Sequence, residues 1–142
     1  MRSDSNARVL VLAAEDYTGN SALPAYPSTN GPFYLDYYTN ALDANRIAHD
    51  VYNIDAEGRK PPDPLGVLSH YDAVIWYTGN DNVTRASAQP GVAGLEAHET
   101  TMAVRDFLNE GGRLLFTGVN AGRQYDLVEY PPAGQPLSFC DG

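Results

Sequence analysis

The chain has 142 residues, with 9 Lys and Arg against 18 Asp and Glu, which gives a formal net charge of −9. This length favours one domain with a substantial core. The acidic excess argues against nucleic acid and anionic membranes as partners, because both are bound through basic patches. No apolar run approaches the roughly 18 residues of a membrane span. The single cysteine, Cys140, excludes an internal disulfide and a cysteine-rich zinc site.

Apolar segments of strand length alternate with helical patterns along the chain. The run over 8–14 is continuously apolar, which is typical of a strand buried on both faces of a parallel sheet. In chain order, the patterns predict a strand within 8–14, a helix over 33–46, a strand over 47–54, a polar loop over 56–63, a short helical turn within 64–69, a strand over 72–77, a helix over 95–109 and a strand over 113–117. The paired glycines at 111 and 112 are expected to end the second helix.

This alternation predicts an α/β protein, a three-layer sandwich with a parallel sheet of order 2-1-3-4 and helices on both faces. Residues 9–13 and 74–76 are expected to be buried in it. We assign 1–7 to leader residues, 8–125 to a single α/β domain, and 126–142 to an irregular, proline-rich tail. Sheets of this kind usually have five or more strands, so the tail is a candidate edge element.

The loops that follow the carboxyl ends of the predicted strands are longer than the loops that lead from the helices into the next strand. Ligands of open parallel sheets bind outside the carboxyl ends of the strands, and long loops are usually functional or flexible. Any ligand site is therefore expected there, with the candidate residues Glu15, Asp16, Tyr17, Asn80, Asp81 and Asn120. Residues 80–82 together with Glu15 and Asp16 offer only oxygen ligands, the kind that Ca²⁺ prefers. A solvated acidic rim is nevertheless favoured over a cation or sugar site.

Two segments match known catalytic motifs, but each match is incomplete. Residues 118–122 have G-x-N-x-G spacing, but Asn120 stands where the nucleophile elbow G-x-S-x-G has its serine, and an amide is no nucleophile. The segment is either a glycine-flanked loop or a degenerate elbow. His98 and Glu99 begin the zincin motif H-E-x-x-H, but Met102 replaces its second histidine. We predict no catalytic residue, no metal ligand and no cofactor in this chain.

Four stretches together resemble a known kind of domain. They are VLVLAAEDYTG at 9–19, DVYNIDAEG at 50–58, PDPLGVLSHYDAVIWYTG at 62–79 and VRDFLNEGGRLLFTG at 104–118. Together they resemble a non-catalytic, glutamine amidotransferase-like domain of large secreted zinc carboxypeptidases of actinobacteria, the carboxypeptidase A-like family. The resemblance covers about residues 8–125, and 62–79 is its most specific part.

The resemblance implies a flavodoxin-like or class I glutamine amidotransferase-like fold and an accessory role, in binding or in structure, within a secreted protein. It implies a neighbouring peptidase module in the same polypeptide as partner, with a peptide or a cell-surface polymer as further candidates. Zinc is expected only in that module. The family's H-x-x-E zinc motif is missing, since His49, His70 and His98 are followed three residues later by Tyr52, Ala73 and Thr101.

A free-standing amidotransferase-like or esterase-like enzyme with a degenerate elbow is the alternative. Asn120 favours the accessory domain over this alternative, because acyl transfer needs a nucleophile at that position.

Overall fold

The structure is a computed structural model that describes residues 6–15, 17, 31–80, 95–119 and 121, with only the backbone of residues 95–97. Its elements in chain order are β1 (Val9–Ala13), α1 (Leu35–Ala44), β2 (His49–Asn53), a 3-10 turn (Leu68–His70), β3 (Ala73–Tyr77), α2 (Leu95–Asn109) and β4 (Arg113–Thr117). The predicted strand at 113–117 and the predicted helix at 95–109 have the observed bounds. The tail over 126–142 lies outside the described residues.

The four strands form one parallel sheet of order β2-β1-β3-β4, which confirms the predicted order and direction. In the central register, Val11 lies opposite Val51 on one side and Ile75 on the other, and Ile75 lies opposite Leu115. Because successive side chains of a strand point to opposite faces, this register builds two separate cores.

One core lies between the sheet and α2. Its buried members are Leu10, Leu12, Ala14, Ile54, Leu68, Val74, Trp76, Ala103, Val104 and Phe107. The Trp76 ring lies against Phe116, with ring centroids 4.4 Å apart. At about 25 cal/mol per Å² of apolar surface removed from water, this burial is the main stabilising contribution of the layer.

The second core lies between the sheet and α1, so the predicted helices on both faces are confirmed. Its buried members are Val11, Ala13, Leu42 and Tyr77, and the Tyr38 ring stacks on Tyr77 with centroids 4.3 Å apart. Val9 and Ile75 are only partly buried here, contrary to the prediction. Among the described residues, α1 is the one helix on this face, and it packs mainly over β1.

Both helices end in a Schellman motif. At the end of α2, Gly112 N donates to Phe107 O and Gly111 N to Leu108 O, with Gly111 at φ +95°. This confirms the predicted stop at the paired glycines. At the end of α1, Ile47 N donates to Leu42 O, and Arg46 occupies the left-handed position at φ +56°.

Helix α1 begins two residues later and ends two residues earlier than the predicted 33–46, and a separate structural feature accounts for each difference. Arg46 is left-handed and terminates the helix. At the other end, the N–H groups of Phe33 and Tyr34 bind the side chain of Glu15. The following strand correspondingly begins at His49 instead of residue 47.

The segment after β2 contains a buried ion pair, which joins Asp55 to Arg59 of the predicted polar loop. Arg59 Nε donates to Asp55 Oδ1 at 3.0 Å, and both side chains are almost completely buried. Arg59 adopts φ +64°, so its backbone curls back, and its N–H donates to Ile54 O at 2.7 Å. The pair therefore folds residues 54–59 into a compact turn at the end of β2.

Candidate functional site

Three of the six predicted site residues lie at the carboxyl ends of neighbouring strands. Glu15 follows β1, Tyr17 is bound to the last residue of β2, and Asn80 follows β3. Asp16, Asp81 and Asn120 lie outside the described residues. The described part of the site therefore spans the ends of β2, β1 and β3, which we call the carboxyl edge.

Glu15 is buried beneath this edge, with 1% of its surface exposed. Its Oε2 accepts the N–H of Phe33 and its Oε1 accepts the N–H of Tyr34, both at 2.8 Å. The side chain of Tyr34, the residue that precedes α1, makes no capping hydrogen bond. The carboxyl group of a strand residue thus takes the place of a local cap, and negative charge is favourable at a helix N-terminus.

The environment of Glu15 also changes its acidity. Burial raises the pKa of the Glu15 carboxyl above its ordinary value of 4.5, and hydrogen bonds from Tyr34 N–H, Phe33 N–H and the Tyr77 hydroxyl offset only part of the rise. Desolvation disfavours the charged form, whereas donors to the carboxylate favour it. With both oxygens bound to the backbone and almost no exposed surface, Glu15 acts as a support beneath the edge.

The raised pKa predicts a pH-dependent stability. Because the folded pKa lies above the unfolded one, the stability that Glu15 contributes is complete below about pH 4.5 and is lost as pH rises through the folded pKa. Glu15→Gln removes this titration. Between pH 4.5 and 7, the unfolding free energy of the parent chain should fall relative to that of Glu15→Gln, measured by urea unfolding. A difference between the two proteins that is independent of pH would contradict the raised pKa.

Amide–phenol hydrogen bonds join the remaining groups of the edge. Asn53 Nδ2 donates to the Tyr17 hydroxyl at 3.0 Å, and Asn80 Nδ2 donates to the Tyr34 hydroxyl at 2.7 Å. Tyr34 thus connects β1 and β3, since its N–H binds Glu15 and its hydroxyl binds Asn80. Neutral amides and phenols of this kind orient ligands by hydrogen bonding.

The ends of β3 and β4 approach each other closely. Val119 N donates to Gly79 O at 2.9 Å, and a Cβ on Gly118 would lie 2.1 Å from Thr78 Oγ1. Gly118 also has φ +155°, a conformation that side chains rarely adopt. Close packing against Thr78 therefore explains why glycine occupies position 118, the first glycine of the G-x-N-x-G segment. The comparison with a nucleophile elbow stays a prediction, because Asn120 lies outside the described residues.

The three histidines lie on separate elements. His49 is in β2, where its Nδ1 lies 3.1 Å from Ile47 O, His70 ends the 3-10 turn, and His98 is exposed on α2. Within the described residues, no three His, Cys, Asp or Glu side chains come together as a metal site.

Among the helices that the structure describes, none has the length and apolar character needed to cross a bilayer.

Sequence reasoning located the edge but missed Tyr34 and Asn53. Asn53 ends a strand, so the rule that selected Asn80 also applies to it. Tyr34 precedes a helix, and nothing in its local sequence indicates a contact with the end of β3.

Comparisons with protein-family models, curated proteins and solved structures found no match to this chain.

Proposed function

We propose that this chain is a non-catalytic accessory domain of a secreted zinc metallocarboxypeptidase, and that it presents the carboxyl edge to a partner. The observation that carries the proposal is the use of Glu15. Its carboxyl group is the one acidic side chain described at the ends of β1 and β3, and both of its oxygens are bound to backbone N–H groups. A general base needs a carboxylate within reach of a substrate proton, and this group is enclosed.

The other described groups of the edge suit binding better than bond cleavage. Tyr17, Asn53, Tyr34 and Asn80 form neutral hydrogen-bonded pairs, which can hold a ligand without transferring protons. The formal net charge of −9 disfavours acidic partners and favours neutral or basic ones.

The fold and the resemblance support the finer parts of the proposal. The order β2-β1-β3-β4 corresponds to the first four strands of the flavodoxin-like order 2-1-3-4-5. The stretches at 9–19, 50–58, 62–79 and 104–118 resemble the accessory domain of secreted zinc carboxypeptidases. A peptidase module in the same polypeptide is then the primary partner, and the protein is extracellular.

The purified chain tests this proposal directly. We expect no stoichiometric zinc by metal analysis and no release of C-terminal amino acids from peptides with a free carboxyl end, with a zinc carboxypeptidase as positive control. Zinc-dependent release that a chelator abolishes would overturn the proposal. Hydrolysis of a simple ester or of glutamine by the chain would favour a free-standing enzyme instead. The open reading frame should also encode a peptidase module.

A further inference from the structure

Three aromatic side chains, two of them exposed, form a cluster at the start of α1. The Phe33 and Tyr34 rings meet edge to face with centroids 4.9 Å apart, and the Tyr34 and Tyr37 centroids are 6.1 Å apart. Phe33 is 49% exposed and Tyr37 is 71% exposed. We call these three residues the aromatic platform. It adjoins the carboxyl edge, because Tyr34 also binds Asn80.

The platform is held in place from beneath. Glu15 binds the backbone N–H groups of Phe33 and Tyr34, and Asn80 binds the Tyr34 hydroxyl. A surface whose backbone is already ordered loses less conformational entropy when a ligand binds. Rigid exposed aromatic side chains are also the residues that most often dominate binding energy at interfaces.

The sequence around the platform carries only acidic charge. Between Arg8 and Arg46 the sequence has no Lys, Arg or His, but it has four acidic residues, which are Glu15, Asp16, Asp36 and Asp43. Asp36 is exposed in the first turn of α1, three residues after Phe33. Aromatic faces attract cations, and the effect adds to that of a nearby carboxylate. The local charge therefore favours a cationic ligand.

We propose that the aromatic platform binds an arginine- or lysine-bearing segment of a protein partner, with the cationic group against the exposed rings and Asp36 beside it. This inference rests on the proposed function, because it names the surface and the chemistry through which an accessory domain would engage its partner. The occupant is a basic segment, because the faces of the rings, the exposed Asp36 and the formal net charge of −9 are all complementary to positive charge.

Titration calorimetry with a defined probe tests the platform. The probe is acetyl-Gly-Arg-Gly-Arg-Gly-amide, and the matched peptide carries citrulline in place of each arginine, which removes the charge and keeps the shape. We expect binding of the arginine peptide that weakens with added salt, and at least threefold weaker binding of the citrulline peptide. Equal binding of both peptides, or no binding of either, would overturn the proposal.

Variants locate the binding surface on the platform. Tyr37→Leu retains an apolar side chain but removes the aromatic face, and it should weaken arginine-peptide binding about threefold to tenfold. Asp36→Asn should weaken it too. Asp43→Asn is the matched control, because it removes the same charge from the same helix at a second exposed position. Equal effects of Asp36→Asn and Asp43→Asn would indicate only general attraction by net charge and would overturn the assignment.

A neutral oligosaccharide is the competing ligand for exposed aromatic rings. Binding of a cello-oligosaccharide that Tyr37→Leu abolishes, without binding of the arginine peptide, would replace the proposal with a saccharide site. The blocked peptide ends prevent exopeptidase cleavage, so this measurement is independent of catalysis. Lost peptide binding in a chain without zinc and without peptidase activity overturns the platform alone and leaves the accessory function intact.

Discussion

Replacing Glu15 with alanine should lower the free energy of unfolding by about 2–3 kcal/mol. The substitution removes the acceptors of Phe33 N–H and Tyr34 N–H, both bound at 2.8 Å, and the helix has no side-chain capping hydrogen bond of its own. It also leaves a cavity in a position that is 1% exposed. Because burial of the carboxyl itself is unfavourable, the net loss is smaller than two full charge-assisted hydrogen bonds.

Asp36→Ala is the matched control for this substitution. It removes an acidic side chain from the same end of α1, but Asp36 is exposed. Its effect should stay within about 0.5 kcal/mol, which is usual for surface positions. Urea unfolding followed by far-ultraviolet circular dichroism measures both variants. If Glu15→Ala were as stable as Asp36→Ala, the buried carboxyl would not be what holds α1 to the end of β1.

Substituting Gly112 with alanine should destabilise the chain by about 3 kcal/mol. A Cβ at this position would lie 2.3 Å from two atoms of the Phe107 ring and 2.5 Å from a third. The ring cannot move away easily, because Phe107 belongs to the core between the sheet and α2. Accommodation therefore requires a shift of α2 or of the start of β4.

The adjacent glycine separates this packing effect from a backbone effect. Gly111 has φ +95°, and among the described residues no group other than its chain neighbours lies within 4 Å of the position that a Cβ would occupy there. Gly111→Ala therefore meets only the cost of a left-handed alanine, about 1 kcal/mol. Urea unfolding should rank Gly112→Ala as clearly less stable than Gly111→Ala. The reverse order would show that the contact between Gly112 and Phe107 is not tight.

Most of the architecture could be predicted from local patterns. The continuous apolar run at β1 indicated a strand buried on both faces, and the glycine pair after α2 indicated the end of that helix. Both signals lie within a few neighbouring residues. The strand order followed from the rule that alternating strands and helices build parallel sheets, so it did not depend on any single contact.

The features that could not be predicted depend on contacts between distant residues. The start of α1 depends on Glu15, which is 18 residues before Phe33, and the contact between Tyr34 and Asn80 spans 46 residues. The ion pair of Asp55 and Arg59 is local, but its burial depends on how the turn packs against the sheet. An acidic residue directly after a strand suggests an exposed side chain that binds a ligand. Only the fold shows that the Glu15 side chain is enclosed.

The adjacent residues Trp76 and Tyr77 belong to different cores. Trp76, the single tryptophan, is buried with Phe116 on the α2 side, whereas Tyr77 stacks on Tyr38 on the α1 side. Tryptophan fluorescence therefore reports on one layer of the sandwich. Because the chain has ten tyrosines, only the part of the near-ultraviolet dichroism that Tyr38→Leu removes reports on the other layer. Two spectroscopic signals from neighbouring positions can thus distinguish cooperative melting of the whole sandwich from separate loss of either helical layer.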